Sequence, residues 1–142
     1  MKLKSRFTEM ELREHFIEIY DITNDLAIYK EVPVFSRSVD LVIHEKSTLS
    51  LTAIEFKLHN WKRAISQVQK VALCFDYLYI CVPKPKTTIS CDKIIADCKL
   101  SGIGLYFYDS IKDIFEKTIE GIKKGIIWEV QKKQIINYLE AN

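Results

Sequence analysis

Glycine and proline are scarce, with four and three in a chain of 142 residues. That excludes collagen-like and low-complexity classes, and no internal repeat is visible. No hydrophobic run approaches the ~18–20 apolar residues of a membrane span. The start, MKLKSRF, is basic but is not followed by an apolar run of signal-peptide length, so the expected location is the cytoplasm. The four cysteines, Cys74, Cys81, Cys91 and Cys98, include no Cys-x-x-Cys pair. The tight spacing of a structural zinc site is therefore lacking, and buried thiols are the expected state. Strong charge of one sign is lacking too. A net charge of +2 does not mark a nucleic-acid binder, so any such role must rest on local charge.

What is present is the composition of a globular protein, 48% hydrophobic and 28% charged, sized for one domain spanning 1–142. Thr8 is placed to cap a helix, with Glu11 completing a capping box and Leu12, Phe16 and Ile19 recurring at helical spacing toward Asp21. Residues 26–35 read as extended, with Pro33 favouring an edge or an interruption. Residues 39–43 and 51–58 read as the two strands of an antiparallel hairpin, turning at residues 45–48.

Asn60 caps a second helix, expected over 61–75, with an apolar stripe of Trp61, Ala64, Ile65, Val68, Val71 and Phe75. Residues 76–82 form a strand apolar on both faces, which implies a buried, parallel position. Ser90 is placed to cap a third helix that stops at Ser101-Gly102, and residues 105–108 form a short strand. From Ser110 onward the pattern reads as helical, broken near Gly121 and Gly125. The expected order is α-β-β-β-α-β over a core of about 8–83, then an α-β-α-α extension over 84–142. Strands interleaved with helices mean an α/β fold, a sheet with helices packed on it.

The strand at 51–58 contains an anomaly. Side chains alternate across a strand, so Glu55 and Lys57 share one face while Ile54 and Phe56 share the other. Asp40 interrupts the partner strand likewise, between Val39 and Leu41. A hairpin can bring Asp40 beside Glu55 and Lys57, near the middle of a sheet. Buried charges are costly unless paired or coordinating a metal, and two carboxylates make an oxygen-rich site suited to Mg²⁺ or Mn²⁺. The competing reading is a salt-bridged face on an exposed hairpin, since Glu-x-Lys alone is common.

The run Arg37-Ser38-Val39-Asp40-Leu41-Val42, then a hairpin, then Ala53-Ile54-Glu55-Phe56-Lys57, then an amphipathic helix carrying Gln67, resembles the PD-(D/E)XK nuclease superfamily. That group includes restriction-endonuclease-like enzymes and Holliday junction resolvases. Fourteen residues separate Asp40 from Glu55, a gap typical of the group. The resemblance covers roughly residues 8–83 and departs in one respect: Val39, not proline, precedes Asp40. It implies a restriction-endonuclease-like fold, a central mixed β-sheet flanked by helices. It also implies a Mg²⁺-dependent endonuclease or exonuclease acting on DNA, whether branched or single-stranded, with RNA not excluded.

Carried over residue by residue, the resemblance makes Asp40 and Glu55 metal ligands and sets Lys57 beside the attacking water. A glutamate from the first helix often joins them. Glu9 is chosen because it shares the inward stripe with Leu12 and Phe16, whereas Glu11, Glu14 and Glu18 form the opposite side; a first-turn glutamate favouring the helix dipole is the competing explanation. Gln67 is expected to reach toward the site, with Gln69 its rival. Lys62 and Arg63, at a helix N-terminus where anions are favoured, are candidate phosphate contacts, as is Arg37. His59 is the one histidine near the site; His15 and His44 read as surface or core residues. The small size suggests a homodimer or a targeting partner. Two other classes stand against the nuclease: a catalytically silent member of the fold that binds nucleic acid or a protein, and an unrelated interaction module.

Overall fold

The computed structural model describes residues 3–20 and 25–141. Asp21, toward which the first helix was expected to run, lies outside them. Helix α1 (Glu9–Ile19) begins as expected: the Thr8 hydroxyl accepts the Glu11 N–H at 3.1 Å and the Glu11 carboxylate accepts the Thr8 N–H at 3.0 Å. Leu12 and Phe16 are buried, and Glu11, Glu14 and Glu18 face solvent. Ile19 is exposed, contrary to its place in the apolar stripe, at the last turn of the helix.

Six strands form one sheet in sequence order: β1 (Leu26–Val34), β2 (Arg37–Glu45), β3 (Ser50–Phe56), β4 (Tyr77–Pro83), β5 (Gly104–Asp109) and β6 (Ile114–Ile119). The β2–β3 hairpin is antiparallel, with Leu41 against Ile54 and Val42 against Ala53. β4 lies parallel between β3 and β5, the buried position its two apolar faces require. β1 is an edge strand, which accommodates Pro33 without loss of a ladder bond on the inner side.

Helices α2 (Trp61–Gln69), α3 (Thr88–Ser101) and α4 (Glu129–Ala141) contribute Ala64, Val68, Ile94, Cys98, Ile136 and Leu139 to a core that includes Leu51, Ala53, Leu78 and Ile80 of the sheet. α1 closes the other face over Leu41, Ile43, Ile54 and Phe56. Free cysteines Cys74, Cys81 and Cys98 are buried, and burial pushes the Cys98 thiol up to about 12, so they serve as packing groups.

Three expectations need correction. The α-β-α-α extension is instead α3, β5, β6 and α4. Residues from Ser110 do not continue as helix because β5 is buried on both faces and its outer edge needs a ladder partner. β6 supplies it antiparallel and packs Phe115 under α1. α2 stops at Gln69, short of Phe75. A short 3₁₀ turn at Ala72–Cys74 then carries the chain down so that the Asp76 N–H reaches the Leu51 carbonyl at 2.8 Å. α3 is capped by Thr87 rather than Ser90; the Thr87 hydroxyl accepts the Ser90 N–H at 3.2 Å. The helix does end at Gly102, whose φ of 67° is a left-handed C-cap that glycine adopts without strain.

Candidate active site

The face alternation of β1 and β2 slips at one place. Val32 and Val34 of β1 and Val39 and Val42 of β2 all lie on the α2 side, whereas Leu41 lies on the α1 side. On β2 the step between like-facing residues is three, not two, and Asp40 occupies the break. Across from it, between the Lys30–Leu41 and Val32–Val39 pairs, stands Glu31 with φ 50°, a left-handed backbone that a long side chain rarely adopts. The distortion leaves Asp40 partly accessible at the end of the hairpin.

β3 runs past this point with regular alternation. Ile54 and Phe56 face α1, and Glu55 faces α2, in the same direction as Leu51 and Ala53. The Leu41–Ile54 pair sets Asp40 against Glu55 one step further along the ladder. The Asp40 Oδ2 accepts the Phe56 N–H at 2.9 Å. Glu55 is only 6% exposed, and that burial, with the Asp40 charge beside it, raises its carboxyl from the usual range to about 8. Lys57 opposes the rise without cancelling it.

The residues converge on a cleft of about 290 Å³ lined by Glu9, Ser36, Arg37, Ser38, Val39, Asp40, Glu55, Lys57, Gln67 and Val71. Six of the residues singled out in the sequence are therefore together: Asp40, Glu55, Lys57, Glu9, Gln67 and Arg37. Lys57 Nζ lies 3.8 Å from Glu9 Oε1, and the other Glu9 oxygen accepts the Leu58 N–H at 3.2 Å. Among the described residues, no three His, Cys, Asp or Glu side chains are grouped as a metal set. The converging carboxylates are two, Asp40 and Glu55, and Glu9 stands at the margin, tied to Lys57.

Lys62, Arg63 and His59 do not line the cleft. All three are exposed; Lys62 Nζ sits 5.5 Å over the Trp61 ring, and the Arg63 N–H is held by the Asn60 cap at 3.2 Å. Gln67 faces the cleft and its rival Gln69 faces solvent. Ser36 and Ser38 went unremarked in the sequence. Ser38, two residues before Asp40 on the same strand, was the one with a readable signal.

Comparison with known proteins bears on the fold. No family model matches the chain, and no curated protein matches it. A crystal structure of an XisH family protein from Nostoc punctiforme PCC 73102 is similar, with a TM-score of 0.52 over 79% of this chain and 98% of that one, at 13% sequence identity. The two share an architecture, a mixed sheet flanked by helices, which in this chain has six strands. Identity at that level speaks for the shared architecture alone. None of the helices among the described residues is long and apolar enough to cross a membrane.

The donor set fits a hard divalent cation. Two carboxylates side by side repel each other, and the Glu55 carboxyl is raised first by burial and then by the neighbouring Asp40 charge. A dication between them would relieve it, and hard oxygen donors suit Mg²⁺ or Mn²⁺.

Proposed function

We propose that this protein is a metal-dependent nuclease that hydrolyses phosphodiester bonds, with DNA as its principal substrate. The observation that carries the reading is the buried Glu55 beside the half-buried Asp40, with Lys57 lining the same cleft. Charged groups in a sheet interior destabilise the fold unless they have a task, and these three share a single opening to solvent.

Asp40 and Glu55 would hold Mg²⁺ or Mn²⁺. When bound, such an ion screens the anionic phosphodiester and makes water more acidic. Asp40 is kept in place by the Phe56 N–H, so it needs little reorganisation to act as a ligand. Lys57 orients the attacking water and balances charge that develops on the phosphoryl oxygens. Glu9, engaged by Lys57 and by the Leu58 N–H, positions that ammonium. Arg37 and Gln67, which also line the cleft, would hold the phosphate group there.

The test is incubation of purified protein with labelled linear, circular, single-stranded and branched DNA, and with RNA, with Mg²⁺, Mn²⁺ or EDTA. Cleavage that requires the metal and is lost in Glu55→Gln supports the proposal. Protein that neither binds either ion nor cuts any form leaves the silent, binding-only module as the better account.

A further inference from the structure

Phe35 and Trp128 form an aromatic pair that is open to water. Their ring centroids are 6.3 Å apart at 35°, and the two residues are 53% and 50% exposed. Phe35 holds φ 56°, a backbone that bulky residues rarely adopt, in the turn between β1 and β2. Trp128 is fixed from another direction, its backbone N–H donating to the Leu73 carbonyl at 2.6 Å, and Leu73 is itself 49% exposed. Single exposed apolar residues need no explanation, but an exposed aromatic pair drawn from two separate segments, with exposed Leu73 hydrogen-bonded to one of them through its backbone, does.

The cluster borders the cleft. The chain passes from Phe35 directly into Ser36, Arg37 and Ser38, which line it, and from Val71, also in its lining, it is two residues to Leu73. The five steps from Phe35 to Asp40 span at most about 16 Å of extended chain, a reach of a few nucleotides. Arg37 lies between them in the sequence, a fork-shaped cation suited to phosphate.

We infer that this surface stacks unpaired bases, which makes a single-stranded stretch of nucleic acid the substrate class of the cleft. The inference rests on the nuclease reading above. Ring faces accept any unpaired base, whereas in a duplex the bases are already stacked on one another. The weak overall charge of +2 argues in the same direction, because a duplex-tracking surface neutralises many phosphates at once. A second copy of this chain is the less suitable occupant. Three half-exposed side chains fall well short of the ~800 Å² per partner that a stable interface buries.

The chain has two tryptophans, so Trp61→Phe leaves Trp128 as the sole reporter. In EDTA, a single-stranded oligonucleotide should quench Trp128 emission, and a duplex of the same sequence should not. Phe35→Ala should weaken single-strand binding about tenfold. With metal, Phe35→Ala and Trp128→Leu should raise KM for single-stranded substrate and leave kcat unchanged, and circular dichroism melts should be unaltered. If Trp61→Phe is unstable, the emission difference between wild type and Trp128→Phe reports the same event.

Single strands that bind without touching Trp128 emission, or equal affinity for the duplex, overturn the inference. So does self-association that Phe35→Ala abolishes in a protein with no affinity for oligonucleotides. Metal-dependent cutting of duplex alone, unchanged in both variants, overturns it and leaves the nuclease reading intact. Quenching by single strands in a protein that cuts nothing upholds the stacking surface and removes the nuclease reading.

Discussion

Asp40 takes the backbone N–H of Phe56 at 2.9 Å with its own carboxylate, so a side chain stands where the ladder would continue between β2 and β3. This contact holds Asp40 beside Glu55 whether or not a cation is present. Asp40→Asn keeps the oxygen that accepts the Phe56 N–H and removes the negative charge. Glu55→Gln likewise relieves a repulsive pair. Both variants should fold with melting temperatures at or above that of wild type and should bind Mg²⁺ more weakly. Calorimetric metal titration and thermal melts on the two variants check this, and metal affinity equal to wild type would place the ion elsewhere.

Stability should depend on pH through Glu55. Its carboxyl is raised from 4.5 to about 8 in the folded protein by burial and by Asp40, so the folded state keeps a proton that the unfolded chain gives up. In EDTA the protein should therefore lose stability as pH rises from about 4.5 to about 8, with no further change from this group above that. Glu55→Gln should flatten the slope. Mg²⁺ favours the ionised pair, so its affinity should rise over the same window. Melting curves across pH, with EDTA and with Mg²⁺, give both slopes.

Lys57 and Glu9 should separate binding from turnover. Lys57→Ala removes an electrostatic group aimed at the reacting phosphate, which typically reduces kcat by ~10²–10³ while leaving metal affinity nearly intact. Glu9→Gln loosens the hold on Lys57 and should lower the rate about tenfold, again with little change in metal binding. A Glu9→Gln variant that loses metal affinity as Glu55→Gln does would make Glu9 a third ligand.

The charges of this site were legible because they break a pattern. Asp40 and Glu55 interrupt apolar strands and Lys57 shares the Glu55 face by alternation, while Gln67, which flanks the helical stripe, was joined to them through the resemblance to the nuclease superfamily. Lys62 and Arg63, placed by their position at a helix start, are exposed and do not line the cleft, and the Asn60 side chain caps the Arg63 N–H there. The strand β6 was illegible because residues 114–119 alternate no better than they repeat at helical spacing; the need of β5 for an edge partner, a tertiary fact, decides it.

The Asp76–Lys132 pair was equally hidden, since it joins the start of β4 to α4. Lys132 Nζ lies 2.9 Å from Asp76 Oδ2, which also accepts the Leu51 N–H at 2.7 Å; Asp76 is buried and Lys132 is half-buried over it. Lys132→Met strands a buried carboxylate and should reduce stability by ~3–5 kcal/mol in urea denaturation. A change below about 1 kcal/mol would mean the pair behaves like a solvated surface bridge.

His44 offers the opposite case, a buried polar group whose removal should help. It sits in β2 between Ala27 and Leu51, is 1% exposed, and neither ring nitrogen has a hydrogen-bond partner among the described residues. Burial lowers its pKa from 6.5, so the folded protein holds the neutral ring. As pH falls below about 6.5 the unfolded chain takes up the proton first, and stability declines. An unsatisfied buried polar group costs ~1–3 kcal/mol, whereas an apolar replacement of similar size costs little or stabilises. His44→Leu should therefore gain about 1 kcal/mol near neutral pH by the same mechanism. It should also remove this group's share of the decline below pH 6.5 and leave the Asp40–Glu55 cleft unaltered. Chemical denaturation at pH 7.5 and 5.5 on wild type and variant reads both effects. Destabilisation at neutral pH would mean that His44 has a hydrogen-bond partner, such as a buried water, that leucine cannot replace.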